Sequence, residues 1–221
     1  MNRSRFGIVI AAAIVLAALA MPAAAGSAPK LHPSGFGEHS YASWKGGEGL
    51  DDSTGNQDQA LYLQKETATA AFAAGVAVFK GFEGTDTAEL LPLEFWVRDD
   101  GWCGAGAPRF NVRIEDAITG TEQTVFIGCQ MMLPGESLTA DNGHEFQRRT
   151  FAGPLPLGTV TGLAIVFDEG NEVGQGSVHL DNIRVGNRVW TSASDNGGGN
   201  TSVDAVTLEA MWGAPLSTLL R

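Results

Sequence analysis

The sequence predicts an all-β fold: an antiparallel β-sandwich (jelly roll) with a short C-terminal arm or helix. Three observations carry this. Seven or more short segments alternate apolar and polar residues with period two, the pattern of half-buried strands. The turns between them are glycine-rich, and the chain holds 29 Gly in 221 residues. Before residue 200 no segment offers a convincing crossover helix, which a parallel α/β fold would need.

The elements follow in order. Ala60 to Lys65 places Leu61 and Leu63 on one face. Ala70 to Lys80 is alanine-rich, but Val76, Val78 and Phe79 favour a strand. In Glu89 to Arg98, Leu91, Leu93, Phe95 and Val97 point inward, and Glu94, Trp96 and Arg98 outward. Pro92 belongs near that strand's start. Arg109 to Glu115 alternates again, with Phe110, Val112 and Ile114 inward. Thr124 to Cys129 is a short strand, and 131–147 reads as a long loop or insert. Thr159 to Asp168 is almost wholly apolar, as in the middle of a sheet, and Gly176 to Val185 is the last strand. No period of 20–50 residues recurs, which excludes a solenoid or propeller.

This reading divides the chain into a signal peptide (1–25), an N-terminal arm (26–40), a sandwich (41–194), a Gly-rich linker (195–200) and a tail (201–221). In the signal segment, Arg3 and Arg5 precede an apolar run from Phe6 to Ala20, and Ala23-Ala24-Ala25 offers a cleavage site. The run is shorter than the ~20 residues of a spanning helix. The expected location is secreted, extracellular or periplasmic, with no membrane span after cleavage. An oxidising compartment pairs the two cysteines, Cys103 and Cys129. Such a bridge is worth roughly 3.5 kcal/mol in the chain-entropy account.

Charge narrows the partners. The formal net charge is -11, which argues against binding a phosphate backbone, since that needs clusters of Lys and Arg. Catalytic motifs are sparse. There is no HExxH, since Arg148 stands where His144-Glu145 would need a second His, and no GxSxG or phosphate-binding loop occurs. His179 and Asp181 share a strand face, but an exposed strand His is the simpler account. The sequence favours a protein that is not an enzyme.

One motif carries a family resemblance. Leu180-Asp181-Asn182-Ile183 resembles the closing strand of galactose-binding-like jelly-roll modules, including many carbohydrate-binding modules. Trp102 to Val112 resembles a stretch of secreted bacterial proteins without an assigned activity. The likeness covers about residues 40–190. In several such modules the Asp ligates a structural calcium with an N-terminal acid. The resemblance therefore implies calcium held by Asp181 with Glu38. The competing role for Asp181 is to bind loop amides at one end of the sandwich.

Trp96 is the main binding candidate: an outward Trp flanked by Glu94 and Arg98, with Asn111 and Arg113 of matching parity on a nearby strand. Such a group suits a sugar ring. Trp44 and Trp102 are lesser candidates, while Trp190 and Trp212 would anchor the C-terminal segment. The leading expectation is a secreted non-catalytic module for a glycan or other extracellular ligand. Alternatives are a structural or interaction domain of the cell envelope and, more weakly, a small jelly-roll hydrolase or lyase.

Overall fold

The computed structural model describes residues 28–52, 57–104, 106–172, 174–193 and 203–220. The signal segment 1–25 and the linker 195–200 lie outside the described residues. Twelve strands stand among the described residues: β1 (Lys30–Phe36), β2 (Ser40–Lys45), β3 (Ala60–Lys65), β4 (Ala74–Lys80), β5 (Leu93–Arg98), β6 (Arg109–Asp116), β7 (Glu122–Gly128), β8 (Leu133–Thr139), β9 (Glu145–Phe151), β10 (Gly158–Phe167), β11 (Ser177–Val185) and β12 (Arg188–Trp190). One helix, α1 (Ala205–Trp212), follows.

These strands form two antiparallel sheets, as the alternation predicts. One has the order β1-β4-β10-β6-β7 and the other β2-β3-β11-β5-β9-β8, with β12 beside β11. Between them lies a continuous core that includes Leu61, Leu63, Phe79, Phe95, Phe110, Val112, Ile165 and Leu180. Glycine lets the layers meet at one edge: a Cβ on Gly75 of β4 would stand 2.8 Å from the Tyr41 carbonyl of β2. A buried cation closes the neighbouring loop. Lys65 Nζ donates to the carbonyls of Thr69 (2.9 Å), Ala71 (2.7 Å) and Asp168 (2.7 Å), and burial pushes its pKa below the ordinary lysine value.

Three expectations change. The segment read as an N-terminal arm contains β1, which pairs with β4 along its whole length. The segment read as a 131–147 loop is mostly the β8–β9 hairpin; its polar residues hid the alternation because every residue of β8 is exposed. The strand of Asn111 and Arg113, expected near that of Trp96, lies in the other sheet. β5 lies between β11 and β9, and β6 lies between β10 and β7, in the other sheet.

The tail is a short docked helix. Asp204 caps α1 by accepting from the Thr207 amide (2.8 Å), and Gly213 ends it in the left-handed region at φ 78°. Leu208 and Trp212, one helical turn apart, sink into a second core with Val76, Val78, Ala164, Val166, Leu216 and Leu219. This explains why β4 and β10 are apolar on both faces: one face meets the main core, the other meets the tail. No helix among the described residues is long and apolar enough to cross a membrane.

Candidate functional site

The disulfide forms as expected, Cys103 to Cys129 with Cα atoms 5.4 Å apart. It ties the segment before β6 to the end of β7. The expected ligand face does not form. Trp96 points outward, as alternation requires, but is only 6% exposed. It packs with Leu50, Ala140 and Phe146, and the Arg148 guanidinium lies 6.0 Å from its ring. Leu50 belongs to the β2–β3 loop and Ala140 to the β8–β9 turn. The two are tied together: Asp141 N donates to Asp51 Oδ1 (2.9 Å) and Asn142 Nδ2 to the Gly47 carbonyl (2.8 Å). These connections cover Trp96, which removes it as a contact residue.

Arg98 is also buried, paired with Glu48 and Asp100. Glu94 accepts from Thr150 Oγ1 at 2.8 Å. Asn111 and Arg113 face out from the opposite sheet, beneath the tail. Asn111 Nδ2 donates to the Leu219 carbonyl (2.6 Å), and Arg113 stacks 5.0 Å from the Trp212 ring. Beside them Arg109 is buried against Asp168. The five expected ligand residues therefore split between two outer faces, and Asn111 and Arg113 serve the tail. Parity was right, but sheet membership was not readable from alternation alone.

The metal pair separates too. Glu38 lies in the β1–β2 turn beside His39, 3.1 Å from its Nε2. It stands just beyond the Ser40–Lys65 pair, whereas Asp181 lies level with Ala60 at the other end of β3. Five residues along a strand span about 16 Å, so the two cannot ligate one ion at ~2.4 Å. Asp181 instead accepts from the amides of Leu50 (2.7 Å) and Asn182 (2.6 Å). The acids that act on it are Asp52 and Asp58, and burial pushes its pKa up to about 7. Asn182 adopts φ 44° where the β11–β5 register slips. The Leu-Asp-Asn-Ile signature thus builds a bulge that turns Asp181 into a clasp for the β2–β3 loop.

Asp99, Asp100 and His144 bring one ligand atom each within 4.8 Å of one another. A cation there would compete with Arg98, whose Nε already donates to Asp100 Oδ1 at 2.6 Å.

What the outer face of the larger sheet leaves open is an aromatic row that the sequence reading passed over. Tyr41 and Tyr62, the only tyrosines in the chain, have ring centroids 5.4 Å apart. The His179 ring is 4.6 Å from Tyr62. Lys45 Nζ sits 5.3 and 5.7 Å from the two tyrosine centroids. All four residues are half-buried. Tyr62 Oη donates to Gln64 Oε1 at 2.9 Å, and burial raises the Tyr62 pKa. His179 is held neutral: burial, then the nearby Arg98 charge, push its pKa down to about 4. The signal was present in the sequence, because Leu61 and Leu63 inward put Tyr62 outward. That Tyr41 joins it depends on the β2–β3 pairing.

No family model matches the chain, and no curated protein matches it. Among solved structures, it aligns with the CBM22-1–GH10 modules of the Clostridium thermocellum N-terminal endo-1,4-β-D-xylanase 10B complexed with xylohexaose, at 12% identity and a TM-score of 0.35. The alignment covers 70% of this chain and 26% of that one. At that level of likeness the fold rests on the two sheets themselves.

Proposed function

We propose that the protein is a secreted, non-catalytic β-sandwich binding module of the galactose-binding-like type, and that it takes a glycan on the open half of its larger sheet. The observation that carries this reading is the Tyr41–Tyr62–His179 row. Three rings on adjacent strands, each half-buried, offer apolar faces to the C–H patches of sugar rings. Lys45, half-buried beside both tyrosine rings, supplies a donor for hydroxyls. The strands hold the rings rigidly, so little side-chain entropy is lost on binding.

Catalysis is not supported by the same groups. His179 is a weak base at pKa about 4, and its carboxylate neighbour Asp100 is committed to Arg98. Affinity electrophoresis through gels containing soluble polysaccharides tests the reading. Retardation by at least one polysaccharide, lost in Tyr62→Ala, supports it. Retardation that persists in Tyr62→Ala contradicts this placement, and retardation by none contradicts glycan binding itself.

A further inference from the structure

A second concave feature lies beside the disulfide. A cavity of about 310 Å³ is walled by Val97, Phe146 and Cys103 and bordered by Asp99, Glu145 and Ser137, with Gln147 and Arg149 in its lining. Its size falls at the small end of the ~300–1,000 Å³ usual for ligand sites. The strand pattern marks it as unusual. Gln147 pairs with Val97 and Arg149 with Phe95, so both polar side chains occupy the core-facing side of β9. Both are half-buried, so this stretch of β9 lines the cavity with polar groups instead of closing it with apolar ones.

Arg149 is the key residue. Arg98, Arg109, Arg113 and Arg148 each have a carboxylate partner. Arg149 and Arg184 have no such partner among the described residues, and the Nε of each is buried without a hydrogen bond; of these two, Arg149 lines the cavity. A guanidinium fork in this position is suited to a planar anion, which it can grip through two parallel N–H groups. The rim has the opposite character. Asp99 and Glu145 are exposed acceptors, suited to hydroxyl groups.

We propose that this cavity binds an acidic sugar unit, a hexuronic acid residue, with its carboxylate on Arg149 and its ring hydroxyls on Asp99, Glu145 and Gln147. A bare anion would meet the two rim carboxylates, and a bare cation would meet Arg149. A uronate presents the carboxylate and the hydroxyls together. The proposal deepens the glycan-binding reading and rests on it for the class of ligand, but it uses a different surface.

The test is an NMR titration of the isotopically labelled, disulfide-intact protein with methyl glucuronide and with methyl glucoside, following the Arg149 Nε–H signal. The glucuronide should bind at least tenfold more tightly than the glucoside and shift that signal. Arg149→Gln, checked by its melting curve for an intact fold, should abolish the preference, and Arg149→Lys should keep part of it. Equal affinity for the two sugars would overturn the proposal. So would a preference that survives Arg149→Gln, or inorganic phosphate shifting Arg149 as strongly as the glucuronide. Tyr62→Ala separates the two surfaces: it should leave the glucuronide preference intact while removing polysaccharide retardation. If the preference is present but Tyr62 has no effect on polysaccharide, the Tyr62 face fails and the cavity stands. If retardation depends on Tyr62 and no preference exists, the reverse holds.

Discussion

The two outer faces of this sandwich carry similar residue types but have different fates. On the smaller sheet, Arg109, Asn111 and Arg113 stand among valines and alanines, and the C-terminal segment seals all of them. Arg109 and Asn111 both donate to the Leu219 carbonyl, and Trp212 lies under Arg113. On the larger sheet only one half is sealed. Leu50 and Ala140 close over Trp96, while Tyr41, Tyr62 and His179 remain accessible. The lesson is that an outward aromatic residue is not by itself a binding residue. What decides is whether another segment of chain reaches it. A large apolar side chain that is reached contributes to stability, and one that is not is available for contact.

That contrast is open to attack, starting with the largest effect. Trp212→Ala should cost about 3–5 kcal/mol in denaturant unfolding, the usual cost of emptying a buried Trp site. Arg109→Met should cost a similar amount, about 3–5 kcal/mol, because it removes the guanidinium from the buried Asp168 carboxylate. A loss below about 1 kcal/mol in both would mean that the tail does not seal its face. Trp96→Ala should likewise cost about 3–5 kcal/mol, in contrast to a solvent-facing contact residue.

A smaller effect concerns the clasp over Trp96. Asp181 titrates near pH 7 in the fold and near its ordinary value when unfolded. The fold therefore retains a proton that the unfolded chain releases, and stability falls as pH rises from about 4 to 7. His179, lowered to about 4, has the opposite sign, and its contribution rises from about pH 4 to 6.5. The two slopes offset each other in the wild type. Asp181→Asn should expose the His179 slope, gaining on the order of 2 kcal/mol relative to wild type between pH 4 and 7. Parallel stability–pH curves for the two proteins would refute this role for Asp181. The smallest stability effect belongs to the open face: Tyr62→Ala should cost less than about 1.5 kcal/mol, since the ring is only half-buried.

The sequence made the sandwich legible because alternation reports directly which residues turn inward: Leu93, Phe95 and Val97 do so, and Trp96 does not. It also supported the disulfide, through an even cysteine count and the oxidising compartment that the N-terminal sequence led one to expect. Pairing partners were not legible. The β5 and β6 strands have matching parity but belong to different sheets, so Trp96 and Asn111 could not be separated without the topology. The β8–β9 hairpin was hidden because its first strand is exposed throughout and carries no apolar period. The Asp181 signature pointed to a real structural feature, and the hydrogen-bonded alternative described its amide contacts correctly. Its distance from Glu38 follows from strand register, which no local motif encodes.

The most direct test of the central contrast is a backbone-amide NMR titration of the folded protein with an oligosaccharide drawn from whichever polysaccharide retards it. The account predicts that the largest shifts fall on Tyr41, Ser43, Tyr62, Gln64 and His179, with the amides of β6, β10 and α1 unmoved. Shifts concentrated on α1 and the outer face of β4, β10 and β6, with Tyr62 unchanged, would contradict it.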